Sequence, residues 1–303
     1  MTNHSSLRIP LMVAMCAGAL LATACGGGDT TVTNNVGSGG TGFVSGAVTK
    51  GPVGNASVTA FGLSGGQMGA AIGSATTDAN GNFSMGVGSY TGPVMLRATG
   101  GSYKDEATGT TMSMTQGDVM TAIVPTIAAN SSHSGIQVTF VTSMAQTLAQ
   151  SMTGGMTEAN IAAANAAMGS YFSVSDVLRT VPMNPLVPGS GTGTSQDARN
   201  YGMTLAAMSQ YAKNLNMAVS SAMGTALMND ASDGMMDGRM GGASVSMTMG
   251  GMMGTSAMAS TAGTSGLASA MSTFAISAGN MSGVTAMDMS GLIQKLNTSN
   301  GRF

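Results

Sequence analysis

MTMGGMM, residues 247–253, sets four thioethers, Met247, Met249, Met252 and Met253, within seven positions, and no histidine or cysteine stands beside them. Thioether sulfur is a soft ligand that selects Cu(I), so this spacing reads as a candidate Cu(I) or Ag(I) site. Methionine is abundant throughout the chain, 31 against 15 leucines, and its pliable side chain also fills irregular cores. Eight methionines fall within residues 235–258, an excess over that background that equally suits an adaptable apolar patch for a partner protein. Just upstream, LMNDASDGMMDGRM carries Asn229, Asp230, Asp233 and Asp237 around Gly234 and Gly238. Oxygen ligands on a glycine-bent loop are what calcium takes. The EF-hand template fails in either alignment, because Ala231 or Met235 falls at a ligand position, so any calcium site here is partial.

The remaining chemistry is sparse. His133, in ANSSHSG, is the only histidine after His4 and reads as a surface loop residue. A lone histidine completes none of the usual zinc ligand sets, and no G-x-S-x-G elbow accompanies it. Asp105 and Glu106 in SYKDEATG resemble an acid/base couple only superficially. Neighbours on a strand point to opposite faces, so the pair reads as a solvated turn. GSGGTG, residues 37–42, matches the dinucleotide fingerprint formally but lacks the strand before it and the helix after it. Walker, haem-attachment and iron–sulfur spacings are absent. A net charge of −2 with no run of Lys or Arg excludes nucleic acid as a partner. These exclusions favour a non-enzymatic protein without a resident cofactor, Cu(I) or calcium being the exceptions that the clusters above hold open.

The N-terminus carries an address. Arg8 precedes an apolar run over residues 9–22, the length of a signal-peptide core and short for a membrane span. The run closes in LATAC, small residues placed directly before Cys25. This resembles a bacterial lipobox, which implies a signal peptide over residues 1–24 and Cys25 as the lipidated first residue of the mature chain. Leu21 sits one place further from the cysteine than the family favours. Gly26 follows the cysteine, as in lipoproteins sorted to the outer membrane, so the resemblance implies a lipid-anchored protein at its periplasmic face or the cell surface. Both cysteines, Cys16 and Cys25, fall in this segment, so the remainder has no disulfide. Residues 25–41 are glycine-rich and polar, a disordered tether.

Beyond the tether the chain is expected to be α+β, an Ig-like β-sandwich followed by an all-α helical bundle. Over residues 42–126, short alternating stretches such as ASVTAF are separated by turn signals, and TDANGNF is a turn between two strands. SGAVTKGPVGNASVTAF, GSATTDANGNFSM and GPVMLRATGGSYKDEATG together resemble bacterial carboxypeptidase-regulatory-like or transthyretin-like modules. That resemblance implies an Ig-like prealbumin scaffold without catalytic residues. Over residues 138–303 helical spacing takes over. Thr157 is an N-cap with Met156 and Ile161 as a hydrophobic staple, and Ser175 offers a second cap. The apolar seam Tyr201, Leu205, Met208, Ala212, Leu215, Val219, Ala222 and Ala226 is one long helix or two broken near residues 214–216. Leu267, Met271, Phe274 and Ala278 continue the signal, as do Met289, Leu292, Ile293 and Leu296; a Met/Gly-rich loop is expected over residues 230–262. The module after residue 138 resembles the helical extensions of bacterial lipoproteins. The expected role is a non-enzymatic, surface-anchored lipoprotein serving as a structural or protein-interaction module of the cell envelope. Its partners are the membrane, through the lipid, and an envelope protein. The alternatives are an envelope Cu(I)/Ag(I)-binding protein and, behind it, an unrecognised enzyme or hydrolase accessory.

Overall fold

Nine strands precede the first helix in the computed structural model, which describes residues 42–303 apart from 116, 252 and 253. Cys25, the segments read as signal peptide and tether, and all of GSGGTG except Gly42 lie outside the described residues, as do Met252 and Met253. The strands are β1 (Gly42–Val48), β2 (Ser57–Ser64), β3 (Gln67–Thr76), β4 (Asn82–Gly88), β5 (Gly92–Thr99), β6 (Ser102–Lys104), β7 (Thr111–Ser113), β8 (Val119–Ile127) and β9 (Ser132–Val138). They form a four-stranded sheet in the order β3-β2-β5-β8, a three-stranded sheet β4-β1-β9 and the hairpin β6-β7. Alternation sends Phe83, Met85 and Val87 of β4 inward, and Val58 and Ala60 of β2 likewise. TDANGNF turns the chain as its residues suggest: Asp78 Oδ1 accepts from the backbone N–H groups of Asn80 and Asn82, both at 2.8 Å. β9 lies beyond residue 126 and pairs with β1 in parallel, so the sheet extends further along the chain than the alternating pattern does.

Among the described residues six α-helices follow: α1 (Phe140–Ser151), α2 (Glu158–Phe172), α3 (Gln196–Asn214), α4 (Ser221–Asp230), α5 (Leu267–Ala275) and α6 (Ser290–Thr298). The class is therefore mixed α+β. Helix α1 begins with a capping box in which Thr139 and Thr142 satisfy each other's backbone N–H groups. Its Thr142 and Ser143 hydroxyls also reach Thr121 of β8, which docks the helix on the four-stranded sheet. β8 is covered on both faces as a result, and residues 120–124 are all buried instead of alternating. Thr157 caps α2, and Met156 and Ile161 are both buried beside it. A single cluster of buried side chains runs from Val44 and Leu96 of the sheets through Phe140 to Phe274 and Leu296 of the helices.

Of its two expected forms, the long apolar seam takes the second, two helices broken at residues 214–216, because the chain leaves helical geometry after Asn214 and Asn216 takes a left-handed φ of 55°. That break resets the phase: α4 buries Met223, Ala226 and Leu227, while Ala222 is only half-buried. SVSDVLRT forms a single turn capped by Asp176, whose Oδ1 accepts from the N–H groups of Leu178 and Arg179, and Ser175 instead bonds Asp197. The Met/Gly-rich loop contains two small hairpins, β10 (Arg239–Met240) with β11 (Ala243–Ser244) and β12 (Ser246–Thr248) with β13 (Thr255–Ala257). Among the described residues no helix is long and apolar enough to cross a membrane.

Candidate functional site

The densest group of ionisable side chains lies where the β6–β7 hairpin meets α3 and α4. Lys50 leaves the end of β1 in a tight turn closed by the Thr49–Pro52 bridge. Gly51 makes that turn feasible: its φ is +60°, and a Cβ there would stand 2.7 Å from the Lys104 carbonyl. The turn directs Lys50 fully inward, with no exposed surface. Its ammonium donates to Glu106 Oε2 at 2.7 Å and to Ser209 Oγ of α3, and stands 3.9 Å from Asp105 Oδ2. It also lies 5.2 Å from the centre of the Tyr103 ring, a cation–π contact in a desolvated site.

The two carboxylates are therefore not a solvated turn. Each is 1% exposed, and both face the same amine. The opposite-face argument fails because residues 105–110 form the turn between β6 and β7, where strand alternation no longer applies. Asp105 Oδ1 accepts from the N–H groups of Ala107 and Thr108 and from the Thr108 hydroxyl, and Oδ2 accepts from Ser220. Burial raises the Asp105 carboxyl, but Lys50 and these donors outweigh it and hold the group below its usual range. Glu106 is pushed up by burial, with Lys50 and Ser209 only partly offsetting the effect. Burial works to lower the Lys50 ammonium, yet the carboxylates of Glu106 and Asp105 prevail and keep it above its ordinary value.

Hydroxyls extend this centre into the helices. Tyr103 Oη shares a 3.0 Å hydrogen bond with Ser220 Oγ and accepts from the Ser221 backbone N–H at 3.1 Å, at the start of α4. Ser221 Oγ and Thr225 Oγ1 both donate to Asp118, which Thr115 also holds. A serine between a lysine and a carboxylate has the composition of an activated nucleophile. Ser209 is 1% exposed, however, and neither it nor Lys50 lines the cleft of about 210 Å³ alongside. Glu106 does line that cleft, together with Thr49, Asn80, Asn82, Gln137 and Asn184.

The residues singled out by spacing are placed differently. Asp230, at the end of α4, is buried, and its Oδ1 accepts from the N–H groups of Asp237, Gly238 and Arg239. Burial pushes its carboxyl up to about 6 despite those donors. Asp233 accepts from the N–H groups of Met235 and Gly241, and Asp237 from that of Arg239. These carboxylates organise the loop by taking its N–H groups, and Asn229 contributes its carbonyl to Ser232. Among the described residues no three His, Cys, Asp or Glu side chains gather as a metal-binding group. Met247 points into the core at 4% exposure, and Met249, on the same face of the chain, is half-buried against that core. His133 is half-buried on β9 instead of in a loop, and its Nε2 accepts from the Ala128 N–H at 3.0 Å. No protein-family model matches the chain, and no curated protein matches it.

Proposed function

We propose that this chain is a lipid-anchored, non-enzymatic module of the bacterial outer membrane, an Ig-like sandwich joined to a helical bundle and presented to an envelope protein partner. The lipobox-like LATAC before Cys25 supports the anchor, and the glycine-rich residues 26–41 support a tether between lipid and folded part. Two sheets with apolar inner faces support the sandwich reading.

One observation carries the scaffold role. The buried ionisable groups Lys50, Asp105, Glu106, Asp118 and Asp230 are all engaged by other parts of the same chain. Chemistry of this kind ties the elements of the folded part to one another. The test is metabolic labelling with a fatty-acid probe followed by membrane fractionation. The wild type should carry label and sediment with the outer membrane, and Cys25→Ser should lose both. An unlabelled wild type found in the soluble fraction would reject the anchor. Crosslinking of intact cells should then join the chain to an envelope protein.

A further inference from the structure

We infer that Lys50 and Glu106 condense into an intramolecular amide, a self-made cross-link between the end of β1 and the β6–β7 turn. The Nζ and Oε2 atoms stand 2.7 Å apart, with both side chains out of solvent. Two charges held out of water are costly, and a secondary amide removes both. The reactive forms need no outside base. One proton passing from Lys50 to Glu106 along their hydrogen bond yields a free amine facing a neutral carboxylic acid, a transfer that the burial of both groups favours and their attraction as ions opposes.

Nζ then attacks the Glu106 Cδ, and an N–C bond forms. Asp105 Oδ2, 3.9 Å from Nζ, steadies the positive charge this puts on the nitrogen. Ser209 Oγ, which accepts from Nζ and donates to Glu106 Oε2 at 2.5 Å, takes up the surplus amine proton as it hands its own to the departing hydroxyl. The C–O bond breaks and water leaves. The sum is ammonium plus carboxylate giving amide plus water, with no oxidant or co-reactant. Glu106 borders the cleft beside the cluster, which gives the water an exit. Glu106 is the acceptor and Asp105 the helper because Asp105 is held as an anion by four donors besides the lysine. Trapped ammonium, two carboxylates and a hydroxyl thus form a complete condensation site that substrates from solution have no part in. The bond does not depend on the lipid anchor, and on an anchored chain it would pass a pull on β1 straight from Lys50 to Glu106 and shield residues 51–105.

Peptide mapping of the purified full-length chain tests this. Trypsin should fail to cut after Lys50 and should release a branched peptide that joins the segment ending at Arg97 to residues 105–179, lighter than the two parts by one water. Lys50→Arg should give linear peptides at full mass. A wild type cut after Lys50 with no water missing overturns the proposal, and so does a missing water located at any other pair. Where Lys50→Arg does not fold, fragmentation of the wild-type branched peptide decides alone, since it either places the bond between residues 50 and 106 or does not.

Discussion

The Lys50 cluster and the Met-rich hairpins both gather groups capable of chemistry, but they differ in what surrounds those groups. At the cluster, side chains from the turn after β1, the β6–β7 turn and α3 converge from positions up to 159 residues apart. In the hairpins the groups are neighbours in sequence, and the structure spends them locally: sulfur on packing, carboxylates on loop N–H groups. Proximity in sequence drew attention to the second region, whereas convergence in space built the first. The lesson is energetic, because a buried charge must be met by partners from several elements, while a methionine side chain packs wherever there is room.

The largest test of that contrast is removal of one member of the cluster. Whether the wild-type pair is ionic or condensed, Glu106→Ala leaves a charged Lys50 buried beside Asp105 alone, and the expected loss is at least about 3–5 kcal/mol in a urea titration. Lys50→Met with Glu106→Leu should recover the part of that loss caused by the stranded charge. A single-variant loss below about 1 kcal/mol would mean the pair behaves like an exposed one, and the contrast would collapse.

A second test probes how tightly the seam beneath the cluster is packed. Gly224 of α4 lies against Phe140 of α1, and a Cβ there would stand 2.3 Å from the ring. Gly224→Ala should cost about 1–3 kcal/mol, and Phe140→Leu in the same chain should relieve part of the cost.

Asp230 joins the two regions, and its titration separates them. Its folded carboxyl sits near 6, against roughly 4 when unfolded. Folding therefore takes up a proton between those values, so this group makes stability fall as pH rises from about 4 to 6. Asp230→Asn keeps an acceptor for the three loop N–H groups without the charge. Its Tm should gain on the wild type as pH rises through that window and hold the gain above it. A constant difference across the window would show that the Asp230 carboxyl is not raised.

Much of this architecture was legible locally. The Thr157 cap with Met156 and Ile161, and the TDANGNF turn, each fall within a few residues, so the interactions that create them are written side by side. The α3 seam was equally plain, and only its phase beyond Asn216 was lost, since a left-handed residue leaves no periodic trace. β9 escaped because its pairing with β1 is parallel and distant. Lys50 and Glu106 lie 56 positions apart, and the strand rule that separates Asp105 from Glu106 gives way in a turn. One signal was available: an isolated lysine in GAVTKGPVG, between segments that both enter the core.

The gentlest test lies in the hairpins. Met247 and Met249 share a face of the chain, one buried and the other half-buried. If they only fill space, replacing both by leucine changes shape more than volume and should shift stability by less than about 1.5 kcal/mol. The same variant should leave Cu(I) uptake, titrated against a competing chelator, where the wild type has it. Loss of one Cu(I) equivalent without loss of stability would mean that both sulfurs turn out of the core to reach a metal. The hairpins would then be a site of their own, and the methionine excess in that segment would need selection for a soft ligand to explain it, because packing tolerates leucine equally well.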